Sequence, residues 1–251
     1  MATMVTFHAH PDDECITCGG VMRKAYEDGH RVVLVVATKG ELGEVPESLD
    51  EPLWQLRVRE THASAEILGA ARVEFLGYTD SGMMGDSSNQ TPGNFWTASI
   101  EEAAQRLAAI LAEENADVLT IYDDHGTYGH PDHIQVHRVG KRAAEIAGTP
   151  RVYQQTANRT VAQAAENPPP VVMDPNFGSP AEKITAAVDV TKFAYAKRQA
   201  MRAHASQISE DSYFLGMPDE VFEVAFGTEW FIRDGQGPGI TETDLMEGLD
   251  V

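Results

Sequence analysis

Basic residues are scarce: 19 Lys and Arg stand against 39 Asp and Glu, a formal charge of -20 at neutral pH. Proteins grip nucleic acids largely through clustered Lys and Arg, so this balance argues against a nucleic-acid partner, and equally against an anionic membrane surface. Long apolar runs are missing too. The longest, Val32 to Ala37, falls far short of the roughly 20 residues that span a bilayer. Met4 to Phe7 is too short for the apolar region of a signal peptide, and no basic segment precedes it, so a soluble cytoplasmic protein is expected. Cysteine is limited to Cys15 and Cys18. A Cys-x-x-Cys spacing without a second pair cannot form a four-thiolate zinc ribbon. Its ordinary reading is two thiols on a helix lining the core, where free cysteine behaves as a small apolar residue; redox sensitivity near a metal is the lesser reading.

A chain of 251 residues suits one large domain over 1–251 better than two compact ones. Its first 156 residues alternate strand and helix patterns. Strands are expected at Val5–His8, Arg31–Thr38, Val73–Leu76, Val118–Tyr122 and Arg151–Gln155. Helices are expected at Cys15–Glu27, Leu53–Leu68, Ile100–Glu114 and Asp132–Ala147. This alternation predicts an α/β fold: a doubly wound, mostly parallel, Rossmann-like sheet with helices on both faces. In the common 3-2-1-4-5 strand order the winding reverses between strands 1 and 4, where such sheets bind ligands. Residues 157–234 read as an elaborated C-terminal part that shapes the substrate pocket. They include an irregular Pro-rich segment, Asn167–Pro180, which reads as a lid over the site or else as a plain connection, a helix over Thr191–Gln207, and a strand or hairpin over Val221–Ile232. Gly235–Val251 reads as a loose acidic tail.

One word is written twice at those reversing strands: His-Pro-Asp-Asp at 10–13 and His-Pro-Asp-His at 130–133. Proline favours the first position of a helix, and it pushes the residue before it toward extended backbone, so His10 and His130 project from strand ends. Residues three apart across a helix start can reach one point. His10 with Asp13, and His130 with His133, are therefore natural chelating pairs. A mixed His and Asp set with an open position for water is a catalytic rather than a structural metal site. Asp12 would then be a spare carboxylate able to take a proton, and His130, if not a ligand, a donor to a developing oxyanion. Spacing alone also offers His130, His133 and His137 as a three-histidine site. His8, His30, His62, His125 and His204 read as surface or core histidines, with His204 worth testing.

The string Ala9-His10-Pro11-Asp12-Asp13-Glu14 followed by Cys18-Gly19-Gly20 resembles the first motif of the LmbE/PIG-L-like zinc-dependent N-acyl deacetylases. Tyr122 to His137, with Tyr128-Gly129-His130-Pro131-Asp132-His133, is similar to their second motif. Thr38–Glu44, Asp80-Ser81-Gly82-Met83 and Arg202–Gln207 match as well. The nearest wording is that of the mycothiol-pathway members, the N-acetylglucosaminyl-inositol deacetylases and the mycothiol S-conjugate amidases. The resemblance implies that His10, Asp13 and His133 hold one zinc ion; His and carboxylate ligands suit iron or cobalt comparably. It further implies Asp12 as general base, His130 as the group that stabilises the oxyanion or protonates the leaving amine, and Asp132 as the carboxylate orienting His130. Tyr128 matches a mobile phenol near the carbonyl, and Arg57 and Asp80 match positions that contact the sugar. The expected activity is hydrolysis of a linear N-acetyl amide on an amino-sugar or related small molecule. The alternatives are an amidase acting on a larger thiol conjugate and a catalytically silent metal-binding relative. A homo-oligomer is compatible with any of these.

Overall fold

The computed structural model describes residues 1–47, 49–165 and 168–250. Along the first part of the chain run β1 (Thr3–His8), α1 (Asp13–Thr17), α2 (Gly19–Glu27), β2 (Arg31–Val36), α3 (Leu53–Leu68) and β3 (Arg72–Phe75). They are followed by α4 (Ile100–Glu113), β4 (Val118–Tyr122), the four-residue turn α5 (Gly126–Gly129), α6 (Pro131–Ala147) and β5 (Arg151–Thr156). Beyond these come α7 (Arg159–Gln163), β6 (Ala186–Asp189), α8 (Ala194–Ala203), α9 (Asp219–Phe226) and β7 (Thr228–Arg233).

All seven strands join one sheet in the order β3-β2-β1-β4-β5-β7-β6. The first five are parallel, while β7 runs antiparallel to both β5 and β6. The apolar run of β2 needs cover on both faces, and it has it. Val32, Leu34 and Val36 pack with Met4, Met22 and Leu68 on one side, whereas Val33 and Val35 pack with Val5, Phe7 and Leu107 on the other. Such double burial is what permits an uninterrupted β-branched strand. The winding reverses between β1 and β4, so both His-Pro-Asp words leave the carboxyl ends of neighbouring strands.

Several expectations need correction. The helix expected over Cys15–Glu27 is two helices broken at Cys18. The break exists because the buried Glu229 carboxylate takes the Gly20 and Val21 amides at 2.8 Å each, and Lys197 Nζ neutralises that carboxylate at 2.6 Å. Gly20 is required there, since a Cβ would lie 2.4 Å from Val190. The strand or hairpin expected over Val221–Ile232 divides in two: Val221–Phe226 belongs to the helix α9, and Thr228–Ile232 is strand, within β7. Pro218, Asp219 and Glu220 supply a helix start, and Phe222 stacks on Phe226 one turn later at 4.9 Å. β6, a four-residue edge strand, carried too little pattern to be anticipated, and the helix expected over Thr191–Gln207 ends at Ala203. Of the Pro-rich segment, Asn167 lies outside the described residues; Pro170–Met173 forms a single tight turn, and Gly178 N–H donates to Thr127 O at 2.7 Å. Cys15 and Cys18 are free and buried. Among the described residues, no helix is long and apolar enough to cross a membrane.

The acidic tail is not loose. Leu245 and Met246 are buried in the main core, Glu242 pairs with Arg233, and Arg151 donates to the carbonyls of Leu245 and Glu247. Truncating a buried leucine costs about 2–5 kcal/mol. Leu245→Ala is therefore expected to lower unfolding free energy by that order in urea titration. A change of only a few tenths would mean that the tail does not pack.

Candidate metal centre and catalytic site

β1 delivers His10 and β4, through α5, delivers His130. At the first word the His10 N–H donates to Asp13 Oδ2 at 2.9 Å, closing the chain so that both side chains face one side. At the second, His130 is extended (φ -63°, ψ 129°) and caps α6, its Nδ1 accepting the Asp132 N–H at 3.1 Å; Pro131 opens the helix. Gly126 lets the α5 turn lie against α6, because a Cβ there would meet His133 Cβ at 2.6 Å.

These turns bring the two words together. Asp13 Oδ2 lies 3.3 Å from His10 Nδ1 and 3.4 Å from His133 Nε2. Two ligand atoms about 2.0–2.1 Å from a tetrahedral zinc are separated by about 3.3 Å, so this spacing suits a shared cation. His10, His130 and His133 can also each turn a nitrogen to within 4.8 Å of the others. The two histidines of the second word differ in one respect. His130 Nδ1 is already engaged by the Asp132 amide, whereas His133 is 2% exposed and neither of its ring nitrogens has a hydrogen-bond partner. Buried polar atoms are seldom left unpaired, and a cation beside Asp13 would give His133 Nε2 a partner. The donors present thus fit a divalent ion held by His10, Asp13 and His133. The three-histidine alternative with His137 finds no support: among the described residues, the ligand atoms that lie within reach of one another include those of His10, His130 and His133 but not of His137.

Carboxylates surround this point. Asp132 Oδ2 is 3.2 Å and Asp80 Oδ1 3.6 Å from His10 Nε2. Burial works against a charged His10, yet its bonds to Asp13, Asp132 and Asp80 outweigh that and raise it well above the ordinary imidazole range. The position attracts positive charge. Burial would likewise raise Asp13, but His133 and His10 hold it well below the usual carboxylate range. Its neighbour Asp12 goes the other way: burial, opposed by the Arg57 guanidinium 3.2 Å away, pushes it up to about 6. His130 is driven down to about 3 by burial and by the charges on His10 and His133. It is therefore neutral, and with Nδ1 accepting from the Asp132 amide its proton sits on Nε2.

His10, Asp12, Asp13, Tyr128, His130, Arg57 and Asp80 all border one cavity of about 550 Å³, walled on the far side by Leu42, Gly43 and the 82–88 loop. None of the described residues of the Pro-rich segment lines it. Asp132 differs from expectation. Its carboxylate takes the Ser81 N–H and hydroxyl at 2.9 and 2.5 Å and faces His10, reaching His130 only through its main-chain amide. Arg57 is buried, with NH1 on Gly40 O at 2.8 Å and NH2 on Pro11 O at 2.5 Å as well as on Asp12. Two contributors went unanticipated. Ser81 anchors Asp132, and Tyr122 stacks on His133 with ring centroids 4.0 Å apart. Its place at the last residue of a strand aimed at the site, where the second motif begins, was the signal for Tyr122.

The sequence profile described as GlcNAc-PI de-N-acetylase (PIG-L) matches residues 5–144. The chain is 39% identical to a 1D-myo-inositol 2-acetamido-2-deoxy-alpha-D-glucopyranoside deacetylase of Streptomyces avermitilis over 290 aligned positions, covering 98% of this chain and 97% of that one. Among solved structures, N,N'-diacetylchitobiose deacetylase of Pyrococcus horikoshii superposes with a TM-score of 0.56 at 26% identity, over 88% of this chain and 73% of that one. A 4-carboxy-2-hydroxymuconate hydratase of Pseudomonas putida superposes at 0.62 with 20% identity, over 97% and 99% of the two chains. That likeness concerns the fold alone, because fold does not determine reaction. The profile spans both His-Pro-Asp words, and the Streptomyces relative matches end to end, so this chain belongs to the GlcNAc-PI de-N-acetylase (PIG-L) family.

Proposed function

We propose that this protein hydrolyses the N-acetyl amide of a small amino-sugar compound, with one divalent cation, zinc, held by His10, Asp13 and His133. The observation that carries this reading is the pairing of adjacent carboxylates with opposed environments: Asp13 locked ionised between two histidines, Asp12 raised to about 6 and open to the cavity. Neighbouring groups whose environments drive them apart divide the roles of acid–base chemistry. When bound, the cation supplies Lewis acidity that lowers the pKa of water and polarises a carbonyl.

The chain's own groups do the rest. Asp12, near neutral pH in its working range, takes a proton as water oxygen bonds to the amide carbon. Neutral His130 points its Nε2–H toward the oxygen that gains charge, and the Tyr128 phenol, 38% exposed beside the histidines, adds a second donor. The C–N bond then breaks, acetate forms, and the proton held by Asp12 passes to the departing amine. Asp132 keeps His10 in place through Ser81 and supplies the amide that sets the His130 tautomer. Asp80 offers acceptors to sugar hydroxyls from the cavity wall, and Arg57 restrains Asp12 while presenting its edge to the same space. The Streptomyces and Pyrococcus relatives carry names of N-acetyl-sugar deacetylases, which supports an amino-sugar substrate over a larger thiol conjugate. Two buried free thiols suit the reducing cytoplasm.

Purified enzyme loaded with zinc is expected to release amine from N-acetylglucosaminyl-inositol or from N,N'-diacetylchitobiose faster than from an S-conjugated thiol substrate; activity on the last alone would overturn the substrate class. Asp12→Asn is expected to keep full metal content while kcat falls by about 10²–10⁴-fold, the usual worth of a general base. By contrast Asp13→Ala and His133→Ala are expected to lose the metal itself in elemental analysis. Full zinc occupancy in Asp13→Ala, or wild-type turnover in Asp12→Asn, would refute the assignment of roles.

A further inference from the structure

Asp12 sits in strained backbone. Its φ of 97° and ψ of -27° lie in the left-handed region, shared among the described non-glycine residues only with Asn115 and Thr127. As the residue preceding α1 it is placed to cap that helix, yet its side chain makes no capping bond. An aspartate there normally turns its carboxylate back onto the first-turn amides. Here the carboxylate is turned into the cavity, and something else must hold the backbone.

That something is Glu14. Its Oε2 accepts the Asp12 N–H at 3.0 Å, so a side chain two residues on holds the capping residue's amide while the Asp12 carboxylate stays free. Glu14 is wholly buried and does not line the cavity, so it cannot touch substrate. Its other oxygen is fixed by two donors from distant parts of the chain: Ser64 Oγ in α3 at 2.5 Å and His204 Nε2 at the end of α8 at 2.6 Å. All three side chains are 0% exposed. A fully buried carboxylate with every contact satisfied is stiff, because any rotation would leave an unpaired group in a low-dielectric interior.

We infer that Glu14, locked by His204 and Ser64, is the positioning residue that keeps Asp12 in its left-handed conformation with the carboxylate free to act as a base. The inference rests on Asp12 being the base of the proposed deacetylation. A double-mutant cycle tests it. Glu14→Ala is expected to lower kcat by about 10–100-fold with KM and zinc content little changed, and Glu14→Gln, which retains an acceptor for the Asp12 amide, to recover most of that loss. In an Asp12→Asn background Glu14→Ala is expected to cost nothing more, since the group it positions is already gone. An equal loss in both backgrounds, or a loss that tracks metal content, would overturn the brace. His204→Gln runs the same cycle if Glu14→Ala does not fold. A crystal structure of the Glu14 or His204 variant gives a readout independent of turnover: Asp12 should leave positive φ and turn its carboxylate onto α1, and an unchanged Asp12 would refute the inference. Should Asp12→Asn alone keep wild-type turnover, it is the assignment of the base that fails, and the crystallographic arm still decides the brace.

Discussion

The site depends on one contact between chain segments 120 residues apart: Asp13 Oδ2 within 3.4 Å of both His10 Nδ1 and His133 Nε2. Three buried polar groups at that spacing are costly in isolation, because two imidazoles and a carboxylate have shed their water and His133 has gained no hydrogen bond in return. A divalent cation held there would convert the arrangement from a liability to a stable one. The sheet makes the contact by placing β1 and β4 side by side where its winding reverses. Pro131 opens α6 and leaves His130 in extended backbone, from which its side chain borders the cavity.

Around that contact, environment rather than residue type separates the roles. Asp12 and Asp13 are identical and adjacent, yet one is drawn down by two histidines and the other pushed up by enclosure. His130 and His133 are three residues apart on one helix start. One has a nitrogen committed to a backbone amide, the other has Nε2 free for a cation beside Asp13. The net charge of -20 fits this economy: with Asp80 and Asp132 crowding His10, the floor of the cavity draws cations in and leaves Arg57 as the guanidinium in its wall.

The sequence revealed the parallel half well, because period and length are local signals. The helix at 53–68 stands where pattern placed it, and the strand expected over 31–38 stands at 31–36. It revealed the C-terminal half poorly, where tertiary contacts decide. Val221–Phe226 has the β-branched and aromatic look of a strand, but Pro218 and the acidic pair after it start a helix; the acidic tail folds back because Leu245 and Met246 find the core. In the site, the duplicated word disclosed which residues meet. It could not disclose which oxygen of Asp132 faces which histidine, nor that Glu14 reaches His204 across 190 residues. Such facts belong to packing, and no spacing encodes them.

The most direct test is X-ray diffraction from zinc-loaded crystals at the zinc absorption edge. A single anomalous peak is expected, bonded to His10, Asp13 and His133 at about 2.0–2.2 Å, with Asp12 and His130 beside it and unbonded to it. A peak ligated by His130 in place of His133, a peak without Asp13, or two peaks sharing these residues would contradict it.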